Sequence, residues 1–95
     1  MIHITKNELN IVKDLLNKYN FKNVFVFGSR ATGKQTKYSD LDILIKENAK
    51  DSDLYQLEED LKESDLPFKV DVVLWRRCNS NFQEKIQKQM IPLKL

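Results

Sequence analysis

The sequence predicts an α/β (α+β) domain, a small mixed β-sheet of three to four strands covered by about three helices. Three observations carry this. Short β-branched and aromatic runs occur at Val24 to Phe27, Asp40 to Lys46 and Lys69 to Trp75, and between them lie stretches whose apolar residues recur every three to four positions. The two kinds of segment follow one another along the chain, as expected of helices packed on a sheet. Finally, 95 residues with a hydrophobic share of 41% supply one modest core, so residues 1–95 are expected to form a single domain.

Each element has a local reason. Thr5-Lys6-Asn7-Glu8 matches a capping box, and Leu9, Val12, Leu16 and Tyr19 then form one stripe, predicting a helix from about Lys6 to Tyr19 that Asn20 ends. Val24-Phe25-Val26-Phe27 has no polar alternation, as expected of a central strand buried on both faces. Gly28 to Ser39 is a connector with a second turn at Gly33. Along Asp40 to Lys46, Leu41, Ile43 and Ile45 share one face while Asp42 and Leu44 share the other. Asn48 to Asp53 is expected to cap a second helix, whose buried stripe is Leu54, Leu57 and Leu61 and whose solvated face carries Glu58, Glu59 and Lys62. Pro67 bars its continuation. Lys69 to Trp75 is a third strand, with Val70, Val72 and Leu74 on one face and Asp71, Val73 and Trp75 on the other. Ser80-Asn81-Phe82-Gln83 matches a second capping box, opening a helix striped by Phe82, Ile86 and Met90. Ile91, Leu93 and Leu95 alternate as a short edge strand, where Pro92 is tolerated.

Composition excludes several classes. Charged residues are 32% of the chain, but the two signs are interspersed and net charge is only +2, unlike the basic stripe of a duplex-DNA binder. No apolar run approaches the roughly 20 residues that span a bilayer, and the N-terminus lacks signal-peptide organisation. A cytoplasmic protein is expected. The lone Cys78 reads as an inert thiol, and His3, near the N-terminus, receives no role.

The chemistry concentrates in three places. Gly28 after a strand permits a sharp turn and close approach of a ligand, and Ser29 and the amides that follow could cradle phosphate oxygens if Arg30 begins a helical turn. Alone, a Gly-Ser turn is more often a connector. Asp40 and Asp42, at i and i+2 of a strand, would stand on one face and repel, by roughly 4 kcal/mol at about 4 Å and an effective dielectric near 20. Mg²⁺ is held by one or two carboxylates plus substrate phosphates, so such a pair beside a phosphate loop fits that ion. Asp71 is a third carboxylate in an apolar strand, a metal ligand or general base by its chemistry. As a strand-start residue, Asp40 has an ordinary explanation; Asp42 and Asp71 have a poorer one, since an unpaired buried carboxylate is costly. Arg30 suits phosphate but could equally be a solvent-exposed charge. Lys34 and Lys37 rank below it. Trp75 reads as core before it reads as a base-stacking surface, and Arg76-Arg77 as an ordinary basic pair.

Gly28-Ser29, ten intervening residues, Asp40-Leu41-Asp42 and a later strand bearing Asp71 resemble the minimal nucleotidyltransferase branch of the DNA polymerase beta superfamily, over almost the whole chain. The resemblance implies a nucleotidyltransferase-like fold, with Gly28, Ser29 and Arg30 binding nucleotide. It makes Asp40, Asp42 and Asp71 both metal ligands and catalytic residues. It further implies transfer of a nucleoside monophosphate, AMP from ATP, to an acceptor hydroxyl with two Mg²⁺ ions, Mn²⁺ being the alternative. In this branch such proteins pair with a helical HEPN toxin, whose tyrosine can be the acceptor, and act as its antitoxin. The alternatives are a non-catalytic antitoxin that neutralises a helical partner by docking, or a nucleotide sensor. A homo- or hetero-oligomer is compatible with the small core.

Overall fold

The computed structural model describes residues 1–95. Helix α1 (Lys6–Lys18) opens on the expected capping box: Thr5 Oγ1 accepts from the Glu8 N–H at 3.1 Å and Glu8 Oε1 from the Thr5 N–H at 2.8 Å. Asn20, at φ +61°, turns the chain out of α1 through the left-handed conformation that Asn tolerates. Strand β1 (Val24–Phe27) runs through Gly28 into one turn of helix, α2 (Ser29–Thr32). Strand β2 (Leu41–Ile45), helix α3 (Asp51–Glu63) and strand β3 (Val70–Leu74) form a crossover unit with parallel strands. A 3₁₀ turn at Trp75–Arg77, helix α4 (Ser80–Gln87) and the two-residue strand β4 (Ile91–Pro92) follow. No helix is long and apolar enough to cross a membrane.

The sheet order is β3-β2-β1-β4, with β1 antiparallel to both neighbours. The register is what positions the chemistry: Phe27 stands opposite Asp42, and Asp42 opposite Asp71. The end of β1 and the starts of β2 and β3 therefore meet at one end of the sheet.

The two faces of the sheet are unequal. On one, Val24, Val26, Leu41, Ile43, Ile45 and Leu74 pack with Val12 and Leu16 of α1 and Leu54, Leu57 and Leu61 of α3 in a cluster of 13 buried residues. Asp60 strengthens this layer by accepting from the Tyr19 hydroxyl and pairing with Lys18 Nζ at 2.9 Å, which joins α3 to α1. On the other face only Phe27, Leu44 and Ile86 are buried together, because α4 is short and offers one fully covered residue. Asp42 and Asp71 belong to this thinner face by strand alternation.

Several local expectations are corrected. The connector contains α2, so there are four α-helices rather than three. The cap of α4 is Asn79, whose Oδ1 accepts from the Phe82 N–H at 2.9 Å, rather than Ser80; Gln83 instead donates to the Trp75 carbonyl at 2.9 Å. Helix α3 begins after Lys50 with no side-chain cap, although Asp51 and Asp53 in its first turn complement the helix dipole. It ends at Glu63, with Ser64 Oγ donating to the Leu61 carbonyl, before Pro67 is reached. Met90 lies beyond α4 yet still packs on the thin face, and Phe25 is half-buried where full burial was expected.

Replacing Thr5 by Ala removes a reciprocal cap and is expected to cost about 1 kcal/mol. Urea denaturation should show a lower midpoint with an unchanged slope; an unchanged midpoint would mean that the cap contributes nothing.

Candidate active site

Gly28, Asp42 and Asp71 form the centre of the sheet end. Gly28 has φ +77° and ψ −157°, a conformation costly for any residue with a Cβ. A Cβ placed there would also lie 2.3 Å from Asp42 Oδ2. The glycine thus makes the turn and makes room for the carboxylate. The Gly28 N–H donates to Gln89 Oε1 at 2.7 Å, which fastens the loop to the turn after α4. Asp71 lies beside Asp42 on the neighbouring strand, with Lys69 Nζ 3.7 Å from its Oδ1. Asp40 sits just before β2 and is exposed. As they stand, the three carboxylates are not drawn into a closed three-ligand cluster.

The electrostatics centre on Asp42. Burial, then the charge of Asp71, then that of Asp40, push its carboxyl from 3.8 up to about 6. The sequence pointed to Asp40 as the crowding neighbour, but the inter-strand partner Asp71 acts more strongly. The physical reason is that β2 begins at Leu41, so Asp40 is free of the strand pleat and turns to solvent. A cavity of about 690 Å³ opens against Asp42 and Asp71; it is lined by Phe27, Val73 and Phe82 and also by Glu58, Glu59 and Lys62 of α3 and by Phe68. Phe82 meets Phe27 edge to face at 5.9 Å.

Ser29 begins the helical turn α2, in which the N–H groups of Ala31 and Thr32 donate to the Gly28 carbonyl at 3.0 and 3.1 Å, so that the amides of its first two residues are the ones without a helical carbonyl partner. Arg30 is not the solvent-exposed charge it could have been: its guanidinium is buried and donates to the carbonyls of Ser39, His3 and Lys37 at 2.9, 2.9 and 3.3 Å. Arg30 does not line the cavity at Asp42 and Asp71. Lys34 and Lys37 are exposed. Trp75 packs on the thin face at the far end of β3 from Asp71, with Lys46 Nζ 4.5 Å from its ring centre, so it does not border the cavity. Arg77 pairs with Asp51 at 2.9 Å, and Arg76 is exposed. Cys78 is half-buried and burial pushes its thiol up, consistent with an unreactive group. Gln89 and Phe82 were not singled out from sequence as parts of the site. Both lie in or just after a short amphipathic helix, where nothing in the pattern distinguishes a residue that reaches the loop from one that faces water.

The donor set suits a hard divalent cation. Asp42, whose charged form is disfavoured by burial and by the neighbouring charges of Asp71 and Asp40, is the kind of carboxylate that such a cation relieves.

A raised folded-state pKa means that the native protein binds more protons than the unfolded chain between 3.8 and about 6. Stability is therefore lost as pH rises through that window and stays reduced above it. Asp42→Asn should be more stable than wild type at pH 7.5, by about 1 to 2 kcal/mol once solvent screening of a half-exposed group is allowed for. The gap should close towards pH 4, and Mg²⁺ should raise the melting temperature of wild type alone. Equal melting curves at pH 7.5 without metal would overturn this account.

Residues 10–94 match the family model described as Polymerase beta, Nucleotidyltransferase. The chain is 40% identical over 94 residues to the probable protein adenylyltransferase MntA of Haemophilus influenzae, covering 92% of this chain and 79% of that protein. Among solved structures, one described as a minimal nucleotidyltransferase superposes with a TM-score of 0.70 at 29% identity, covering 93% of this chain and 91% of the other. A Shewanella oneidensis complex of a tri-AMPylated HEPN toxin with an MNT antitoxin matches with a TM-score of 0.65 at 18% identity, covering 97% of this chain and 74% of the matched one, a likeness of fold. With the Gly-Ser turn and the aspartate-bearing strands at one end of the sheet, this chain belongs to the polymerase beta nucleotidyltransferase family.

Proposed function

We propose that this nucleotidyltransferase moves AMP from ATP to a hydroxyl of a protein partner, a tyrosine of a HEPN-type helical toxin, and thereby acts as an antitoxin in the cytoplasm. The observation that carries the reading is the meeting of Gly28, Asp42 and Asp71 at one sheet end beside a cavity of about 690 Å³. The relatives support the direction: one is named as a protein adenylyltransferase, and the Shewanella complex pairs an MNT antitoxin with an AMPylated HEPN toxin.

In this reading Gly28 lets the triphosphate approach the backbone, while the Ser29 hydroxyl and the amides at the head of α2 donate to phosphate oxygens. Asp40, Asp42 and Asp71 would hold divalent metal, Mg²⁺ by its fit to carboxylate and phosphate oxygen. When bound, that metal neutralises phosphate charge and lowers the pKa of an attacking hydroxyl. The acceptor oxygen forms a bond to the α-phosphorus as the bond to the bridging oxygen breaks, and pyrophosphate leaves with the electron pair. Asp71, half-exposed at the open edge of the sheet, takes the hydroxyl proton. Phe27 and Phe82 line the cavity and supply it with an apolar surface.

Incubated with α-labelled ATP, Mg²⁺ and a HEPN-type helical partner, the protein should label the partner. Asp42→Asn or Asp71→Asn should lower labelling by at least 100-fold, on the order seen when a reacting proton or charge loses its group, with the fold unchanged by circular dichroism. If Asp42→Asn neutralises the partner in cells as well as wild type does, docking rather than transfer carries the effect.

A further inference from the structure

Arg30 is the one charged side chain in the buried set, with 5% of its surface exposed. No carboxylate pairs with it. Its charge is met by three backbone carbonyls and by the ring of Phe68, whose centre lies 4.1 Å from the guanidinium carbon. A guanidinium sequestered without a counter-charge is costly, and its partners are not scattered. Nε donates to Ser39, the carbonyl of the peptide bond that leads into Asp40. One terminal nitrogen donates to Lys37 in the same connector. The other donates to His3, whose own N–H returns a bond to the Arg30 carbonyl at 2.8 Å. Phe68 is three residues before Asp71, and Arg30 itself follows Ser29.

From this we infer that Arg30 is a positioning residue for nucleotidyl transfer: it fixes the Gly28-Ser29 turn relative to the entries of the two aspartate-bearing strands without touching nucleotide. The side chain starts in the Gly-Ser turn, clasps the backbone entering β2 through Ser39, and sets its guanidinium over the ring of Phe68, just before β3. Each of the three segments of the site is thereby referred to one rigid planar group. Lysine cannot replace it, because a tetrahedral ammonium does not present a planar fork to three separate carbonyls. Misplacement of reacting groups by about 1 Å can lower a rate on the order of 100-fold, so loosening this clasp acts on turnover.

The inference rests on the nucleotidyl-transfer reading, and the test separates the two. Arg30→Lys and Phe68→Leu are compared with wild type in three measurements: affinity for AMP-PNP with Mg²⁺ by calorimetry, turnover as labelled AMP incorporated into the HEPN-type partner, and amide hydrogen exchange of the free protein. For Arg30→Lys, turnover should fall about 100-fold while nucleotide affinity changes by no more than about threefold. Exchange should quicken across residues 36–42 and 68–71 and stay unchanged in α1 and α3. Phe68→Leu, which keeps the hydrogen bonds of Arg30 but also trims a residue that lines the cavity and packs against the main core, should show the same exchange pattern more weakly. A tenfold loss of affinity with turnover preserved would make Arg30 a nucleotide ligand and overturn the inference. Faster exchange throughout α1 and α3 would reduce it to a general contribution to stability, and a fully active Arg30→Lys would remove it. Should wild type transfer no AMP, the functional reading fails, and the exchange pattern alone then decides whether the clasp exists.

Discussion

The parallel, in-register pairing of β2 with β3 places Asp42 beside Asp71, and much of the molecule serves to hold that unfavourable juxtaposition. Two carboxylates on adjacent strands, one half-buried, resist being charged together, as the raised titration of Asp42 records. What enforces the pairing lies on the opposite face of the same strands. Leu41, Ile43, Ile45 and Leu74 are buried against α1 and α3, and a slip of β3 by one residue would turn its apolar side chains to the wrong face. Hydrophobic burial at roughly 25 cal/mol per Å² of apolar surface is ample to fix the register against this local repulsion. Helix α3 is therefore more than a cover: as the crossover between β2 and β3 it is what makes them parallel.

Gly28 shows how one residue can satisfy two independent constraints. Its positive φ lets the chain leave β1 and enter α2 at once, and any side chain there would collide with the carboxylate of Asp42. The second constraint arises only because β1 and β2 are antiparallel, with Phe27 opposite Asp42. A substitution that could tolerate the backbone conformation would still meet the carboxylate, and moving that carboxylate would disturb its relation to Asp71.

This distinction explains what was legible in the sequence. The aspartates were visible because a carboxylate inside a β-branched run breaks the pattern around it, and the Gly-Ser turn because it ends such a run. The faces of β2 and β3 followed from alternation alone. What could not be read were relations that depend on distant segments meeting: Gln89 reaching Gly28, Phe82 against Phe27, and Arg30 turning into the protein to find Ser39, His3 and Phe68. Arginine beside a phosphate loop suggests an anion partner by its chemistry, whereas its burial is decided by the one-turn helix α2, too short to leave a periodic signature. The missed caps have a similar origin, since Asn79 and Ser80 are adjacent candidates and the direction of the preceding 3₁₀ turn selects between them.

The inequality of the two sheet faces ties stability to chemistry. A carboxylate under the thick α1 and α3 layer would be fully desolvated and held neutral, useless for holding a cation. On a bare face it would be well hydrated, with little reason to trade water for metal and phosphate. The thin layer made by α4 leaves Asp42 between these limits, half-buried, its carboxyl pushed up to about 6 by burial and by the charges of Asp71 and Asp40. The fold concentrates its burial on one side so that the other can remain open, and the loop between them is tied to both sides, through Gln89 after α4 and through Arg30, which sits over Phe68 against the main core.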